Sequence, residues 1–153
     1  MKFNIVLVTP QIPPNTGNIV RLCAATGSIL HLIKPLGFSI DDRYLKRAGL
    51  DYWEYVEIKT YENMDNFLQE ADPNKFIFLS SKVEKKYWDH KFQDGDYLIF
   101  GSETTGIPQY VSEKYPEKFY TIPQYNDHVR CLNLSNSVSI VLYEAIRQNN
   151  LSF

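Results

Sequence analysis

This chain of 153 residues has little cysteine, little glycine and little excess charge of either sign: two cysteines, seven glycines and a net charge of −2. Cys23 and Cys131 lie far apart and match no zinc spacing, which argues against a disulfide scaffold and predicts a reduced, cytoplasmic setting. No apolar run approaches the roughly 20 residues of a membrane span, and the apolar start is too short for a signal peptide. The near-neutral charge argues weakly against nucleic acid as a partner but allows a local basic patch.

The residues that are abundant are those of one globular domain. Hydrophobic residues make up 44% of the chain and aromatic residues 14%, so a core can form without disulfides or metal. Short apolar runs that predict buried strands alternate with segments that predict helices. This alternation predicts a single α/β domain over residues 1–153, with a mostly parallel sheet flanked by helices. The predicted strands are 3–8, 29–33, 55–58, 76–79, 97–100 and 119–122, and the predicted helices are 15–26, 43–48, 62–71, 108–115 and 134–148.

Three polar loops follow predicted strands, at the positions where open parallel sheets bind ligands. They are residues 15–21, 101–108 and 122–136. In the first of them Asn15 or Thr16 is predicted to cap the following helix, which Gly27 is predicted to end. None of them matches the dinucleotide fingerprint or the phosphate-binding P-loop, which disfavours a nicotinamide-dependent oxidoreductase. Gly101 directly follows a strand, where a glycine either allows a ligand to approach the backbone closely, adopts unusual dihedral angles, or is an ordinary turn residue. If it belongs to a ligand site, we expect a side chain there to block ligand binding.

Charged residues near these loops have both a structural and a functional interpretation. Glu103 is either a surface or capping carboxylate or a site residue. Arg21 lies on a helix with mostly apolar neighbours, which predicts that it is partly buried. A partly buried arginine needs either an anionic ligand or an ion pair, for which Glu103 and Glu144 are candidates. His31 lies inside an apolar strand and is predicted to be a packed core histidine.

Basic residues form two clusters. Arg43, Lys46 and Arg47 are three and four residues apart and therefore share one helix face. The segment 82–91 carries four lysines interleaved with Tyr87, Trp88 and His90, a composition that suits single-stranded or looped RNA. Either cluster can instead be an ordinary solvated surface.

Taken together, the motifs in residues 15–24, 100–108 and 122–138 resemble, in order, the three motifs of the SPOUT (alpha/beta knot) RNA methyltransferases. The short chain and the segments 35–38 and 47–52 are similar to the TrmL (YibK-like) group of that class, which methylates the ribose of the tRNA wobble nucleotide. The resemblance covers essentially the whole chain. It implies a deep trefoil knot in the C-terminal third. It also implies a homodimer that acts on the anticodon stem–loop of tRNA and does not bind a membrane.

The resemblance also implies a cofactor and site residues. The methyl donor is S-adenosylmethionine, the product is S-adenosylhomocysteine, and no metal is expected. Two departures stand out: Thr105 replaces a basic residue that many relatives carry, and Cys131 replaces a common serine. The alternatives left open are a noncatalytic RNA-binding module on the same fold and 2′-O-methylation at another tRNA or rRNA site. The implied donor contacts are Leu79, Gly101, Ile122, Cys131 and Leu132; the implied catalytic residues are Arg21, Glu103 and Asn133; the implied substrate contacts are Arg21, Arg43, Lys46 and Arg47.

Overall fold

Six strands and five α-helices follow one another in the part of the chain that the computed structural model describes, which is residues 2–39 and 41–149, with the backbone only for residues 44, 46 and 49–51. None of the helices in those residues is long and apolar enough to cross a bilayer. The strands are β1 (Asn4–Val8), β2 (Ile29–Ile33), β3 (Ile58–Tyr61), β4 (Phe76–Leu79), β5 (Tyr97–Phe100) and β6 (Phe119–Tyr120); the helices are α1 (Pro13–Thr26), α2 (Arg43–Trp53), α3 (Met64–Glu70), α4 (Gln109–Lys114) and α5 (Leu134–Asn149).

The six strands form one parallel sheet in the order β3-β2-β1-β5-β4-β6, which confirms the predicted α/β class. The order reverses between β1 and β5, because the chain moves from β1 to one side of the sheet and later fills the other side. Leu7 pairs with Phe100 in the last described register position of β1 and β5. The loops after these two strands therefore start side by side, at the switch point where open α/β sheets form a crevice. The trefoil knot stays a prediction, since strand order does not define threading.

Both faces of the sheet are covered, which explains why its inner strands β1, β2, β4 and β5 are almost entirely apolar, whereas the edge strand β3 exposes Lys59 and Thr60. Along β1, Ile5 and Leu7 belong to the core cluster under α1 and α5, whereas Val6 and Val8 belong to the cluster on the opposite face. Phe67 of α3 lies in that second cluster and is fully buried. The arrangement is a three-layer domain, and loops cover the edge of the sheet at the carboxyl ends of the strands.

Two predicted elements have bounds that are wrong by three residues or more. The second helix does not stop at Ala48 but continues through Gly49 to Trp53, because packing against α1 outweighs the weak helix propensity of one glycine. The third strand begins at Ile58 rather than ending there, because its register with β2 pairs Leu30 with Ile58 and extends the strand to Tyr61. Both errors concern tertiary packing, which local patterns do not encode.

Candidate active site

A cavity of about 340 Å³ lies at the carboxyl edge of the sheet, beside the ends of β4, β5 and β6 and the start of α5. Its walls come from loops that are distant in sequence: 79–82, 100–107, 121–124 and 130–134. The structure brings together here all the residues predicted to contact a methyl donor; their binding of a donor remains a prediction. These residues are Leu79, Gly101, Ile122, Cys131 and Leu132.

Glu103 fastens the loop after β5 to the start of α1. Its Oε1 accepts a hydrogen bond from the backbone N–H of Gln11 at 2.9 Å, and its Oε2 accepts one from the N–H of Ile12 at 2.9 Å. The side-chain amide of Asn15 donates to Oε2 at 3.2 Å. A carboxylate at this position satisfies donors near a helix N-terminus and complements the helix dipole. Glu103 is therefore a positioning group held by three donors.

Asn15 extends this connection to the third loop. The side-chain amide of Asn133 donates to Asn15 Oδ1 at 3.0 Å, while Asn133 Oδ1 accepts the backbone N–H of Ser135 at 2.9 Å and so caps α5. Asn15 is buried, so its side-chain amide would be destabilising without these hydrogen bonds. Glu103, Asn15 and Asn133 thus form one hydrogen-bonded chain across the three motif loops.

The sequence-based prediction for Asn15 was wrong, because it treated Asn15 or Thr16 as a helix cap. α1 begins earlier, at Pro13, and Ile12 precedes it without a side-chain cap. Proline is tolerated there because the first helical N–H groups have no intrahelical partner. The position of Asn15 in the first motif is the signal that could have pointed to its bonding role.

The structure gives Gly101 a role in a turn, one of the interpretations that the sequence allowed, and its contact with a ligand stays a prediction. A Cβ at Gly101 would lie 2.4 Å from the carbonyl carbon of Gly106 and 2.5 Å from the nitrogen of Ile107, so the backbone of its own loop occupies that space. The amide of Gly106 donates to Ser102 O at 3.0 Å and closes the turn, with Gly106 in the left-handed region at φ 71°. Gly101 lets this turn fold back onto the end of β5 and thereby shapes the cavity.

Arg21 does not line the cavity and is exposed on α1, contrary to the partly buried position that its apolar neighbours indicated. Ile19 and Cys23 turn toward the core, and Arg21 turns away from it. Its guanidinium carbon lies 5.3 Å from the centroid of the Tyr52 ring, a cation–π contact that orients it.

Neither predicted ion-pair partner contacts Arg21 among the described residues. Glu103 holds residues 11–15, and Glu144 accepts two hydrogen bonds from Arg147 at 2.8 and 2.9 Å. The hydrogen bonds from Arg147 lower the pKa of Glu144. Arg21 is therefore fixed by an aromatic ring and presents its N–H groups to solvent.

The predicted substrate residues lie on the helix that packs against α1. Arg43 and Arg47 are exposed on α2, while the side chain of Lys46 lies outside the described part of the chain. Gly17 of α1 faces Ala48 of α2, so the two helices approach closely. The α1–α2 pair carries three arginines, and their contact with a substrate remains a prediction.

Two basic residues that sequence reasoning did not place in the site line the cavity: Lys82, shortly after β4, and Arg130, next to Cys131. Arg130 could have been found from its place in the third motif, and Lys82 from its place after a buried strand. Thr105 is exposed at the tip of its turn. Within the described residues, no three His, Cys, Asp or Glu side chains come close enough together to hold a metal ion.

The sequence profile of the SpoU rRNA Methylase family matches residues 2–143. The chain belongs to this family. A curated relative from Burkholderia cenocepacia (strain HI2424), named tRNA (cytidine(34)-2′-O)-methyltransferase, is 47% identical over 149 residues, 95% of each chain. A solved structure described as giving structural insights into the 2-OH methylation of C/U34 on tRNA is 39% identical, with a TM-score of 0.89 over 97% of each chain.

The family fold extends to distant members. The SpoU methyltransferase AviRb from Streptomyces viridochromogenes, solved in complex with the cofactor AdoMet, is 18% identical. It matches 98% of this chain and 58% of its own length with a TM-score of 0.84. At this identity the likeness concerns the fold.

Proposed function

We propose that this chain is a tRNA 2′-O-methyltransferase that transfers a methyl group from S-adenosylmethionine to the ribose of the wobble nucleotide. The names of the relatives at 47% and 39% identity support the substrate and the reaction. The observation that carries the proposal is the hydrogen-bonded chain Glu103–Asn15–Asn133, which draws all three motif loops around one cavity. The anticodon stem–loop is the part of the tRNA that presents this nucleotide.

The cavity suits a donor of this kind. Its volume falls within the range of small-molecule sites, and apolar side chains line it together with backbone groups that offer hydrogen bonds. Bound S-adenosylmethionine supplies a methyl group that its sulfonium has already activated. The apolar side chains available to contact the adenosine are Leu79, Ile107, Ile122, Leu132 and Leu134.

The residues of the chain orient the reactants. Glu103 and Asn133 hold the loops that shape the donor cavity, so they act as positioning residues. Arg21 is a permanent cation, and we assign it to holding a phosphate or ribose oxygen of the substrate in line with the methyl group. Arg21 does not line the cavity of its own chain, so the proposal places Arg21 at a reaction site shared with a second copy.

A homodimer is therefore part of the proposal. On α5, Ile140 and Tyr143 are exposed, although the other hydrophobic side chains of residues 138–146 are buried. Such a helix needs cover on more than one side. Sedimentation analysis of Ile140→Glu should show dissociation into monomers, and a monomeric wild type would contradict this part of the proposal. The two free cysteines, Cys23 and Cys131, agree with a cytoplasmic site of action.

The test is transfer of labelled methyl to unmodified tRNA, with donor calorimetry on the same samples. Arg21→Ala should lower the transfer rate a hundredfold to a thousandfold, the effect of about 3–4 kcal/mol of lost transition-state stabilisation, with donor affinity nearly unchanged. Arg21→Lys should recover part of the rate, because lysine cannot reproduce the planar guanidinium. Lys59→Ala, on the edge strand β3, is the matched control and should leave transfer unchanged.

Two outcomes would contradict the proposal. A tRNA with a single 2′-deoxynucleotide at position 34 cannot accept the methyl group there, so undiminished transfer to it would refute the wobble ribose as the target. Tight RNA binding without transfer to any tRNA would favour the noncatalytic RNA-binding module instead.

A further inference from the structure

The segment between β4 and β5 carries a basic and aromatic surface that the proposed reaction does not yet use. We call Lys82, Lys86, Trp88 and Lys91 the lysine–tryptophan surface. All four side chains are exposed, and Trp88 shows 43% of its surface to solvent. Among the described residues, no carboxylate lies within ion-pair distance of the three lysines. No acceptor in those residues receives a hydrogen bond from the Trp88 indole N–H.

This surface adjoins the candidate active site. The backbone N–H of Thr121 donates to Lys85 O at 2.7 Å, and the N–H of Tyr87 donates to Thr121 O at 3.0 Å, so this segment runs alongside the chain that continues from β6. Thr121 lines the cavity, and Lys82 lines it too. Lys82 is therefore the member of the surface at the cavity itself, and Trp88 lies further from the cavity along the same segment.

The segment is held in place. The side-chain amide of Gln148 donates to His90 O at 3.0 Å, and Phe92 N donates to Gln148 Oε1 at 2.9 Å, which ties the segment to α5. Lys85 has internal partners: its Nζ donates to Glu117 O at 2.6 Å and lies 4.3 Å from the centroid of the Tyr120 ring. The backbone that carries Trp88 is thus anchored, and the Trp88 ring lies against the Tyr87 ring with 5.3 Å between centroids. A side chain on such a backbone loses less conformational freedom on binding, which favours stacking.

We propose that the lysine–tryptophan surface binds the single-stranded RNA beside the target nucleotide, with a base stacked on Trp88 and phosphates on Lys82 and Lys86. The inference rests on the proposed function and adds a specific RNA-contacting surface to it. Exposed aromatic rings flanked by cations are the common means of holding unpaired nucleotides. A second copy of the chain is a poorer occupant, because a two-fold contact would bring the unpaired lysines of both copies together, and lysine is depleted at protein interfaces.

The experiment measures binding of an RNA hairpin with the sequence of the anticodon arm by fluorescence anisotropy at several salt concentrations. Trp88→Ala should weaken binding about tenfold, and Trp88→Phe should restore most of it, because phenylalanine keeps a stacking face. Lys86→Ala should lower the slope of log affinity against log salt by about 0.7, the value for one phosphate contact on a single strand. A blunt RNA duplex of the same length should bind all variants equally.

Lys59→Ala is the matched lysine control, because Lys59 is exposed on β3, at the opposite edge of the sheet from β6. Unchanged hairpin affinity in Trp88→Ala would overturn the inference, and so would dissociation of the dimer in that variant, which would assign Trp88 to the contact between copies. Transfer by the wild type to tRNA is measured in parallel. No methyl transfer by the wild type would refute the proposed function. Normal transfer by the wild type, together with unchanged hairpin affinity in Trp88→Ala, would refute only RNA binding by the lysine–tryptophan surface.

Discussion

At the scale of single residues, Glu103 shows how one carboxylate can hold the loops of a site together. Both of its oxygens accept backbone N–H groups at 2.9 Å, and the Asn15 amide completes the set. Every partner is a donor, so the position requires a group that only accepts hydrogen bonds. Glutamate meets this requirement, whereas glutamine, which has the same size, carries an NH₂ group that cannot accept a hydrogen bond.

We predict that Glu103→Gln lowers the free energy of unfolding by about 1–3 kcal/mol, because the new NH₂ group faces donors and leaves hydrogen bonds unmade. Urea unfolding measures the change. Glu62→Gln is the control, since Glu62 forms an exposed pair with Lys34 at 3.2 Å and such pairs contribute less than about 1 kcal/mol. Equal losses in the two variants would show that the Glu103 bonds add no stability.

Gly101 shows how the absence of a side chain shapes the same site. We predict that Gly101→Ala weakens donor binding at least about tenfold and destabilises the fold by about 1–3 kcal/mol, because the turn at Gly106 and Ile107 has to move away from the new methyl group. Calorimetry with S-adenosylmethionine and thermal unfolding measure the two effects.

The control for this prediction is Gly27→Ala. Gly27 ends α1 at φ 67° with open space around it, so alanine there strains the backbone by about 1–2 kcal/mol without altering the cavity. Gly27→Ala should lose stability and keep its donor affinity. Normal donor affinity in Gly101→Ala would mean that the turn does not shape the donor site.

At the scale of elements, the α1–α2 pair is the platform for Arg21, Arg43 and Arg47. A Cβ on Gly17 would lie 2.4 Å from the Ala48 Cβ and 3.0 Å from Leu45 O, so the helices pack against each other where α1 has no side chain. The contact between Arg21 and Tyr52 spans the same two helices. Their separation therefore decides where the Arg21 guanidinium lies.

We predict that Gly17→Ala lowers the free energy of unfolding by about 1–3 kcal/mol through overpacking, despite the better helix propensity of alanine. Adding Ala48→Gly makes room at the closest contact and should recover part of the loss, so the double-mutant cycle should show coupling of at least about 0.5 kcal/mol. Additive effects in urea unfolding would mean that the two positions do not interact.

At the scale of the whole molecule, a buried hydrogen-bond network joins three neighbouring strands, β1, β2 and β3. His31 is 1% exposed, with Nδ1 2.9 Å from the Tyr61 hydroxyl and Nε2 2.8 Å from Asn4 Oδ1. Because the Asn4 amide donates to Gly95 O, its Oδ1 is the acceptor, which assigns the proton to Nε2. Burial, with a smaller effect from Lys59, lowers the pKa of His31 from 6.5 to about 4.

This shift makes stability depend on pH. Between pH 4 and 6.5 the unfolded chain binds a proton that folded His31 does not, so stability rises with pH in this window and falls as the solution is acidified. Between pH 8 and pH 5 the wild type should lose about 2 kcal/mol more unfolding free energy than His31→Gln. NMR titration of the His31 ring gives a second reading, and a ring already protonated at pH 5 would contradict the prediction.

The class of fold and most of the helix and strand positions could be predicted from local features of the sequence. The apolar runs at β2, β4 and β5 predicted those strands with the observed bounds, and Gly27 predicted the end of α1, because each signal is local. His31 was predicted to be a core residue for the same reason: strong apolar neighbours on both sides of one residue leave little choice of environment. The motif order identified the loops that line the cavity.

The hydrogen bonds between those loops could not be predicted from sequence, because they depend on how distant segments pack in three dimensions. Asn15 and Glu103 are 88 residues apart, and Asn15 and Asn133 are 118 residues apart, so no local pattern could pair them. The exposure of Arg21 follows from which side of α1 faces the sheet, and the space beside Gly101 is taken by backbone that has to fold first. Local propensities choose helix or strand, whereas packing of distant segments decides which polar groups meet, because only packing removes water from between them.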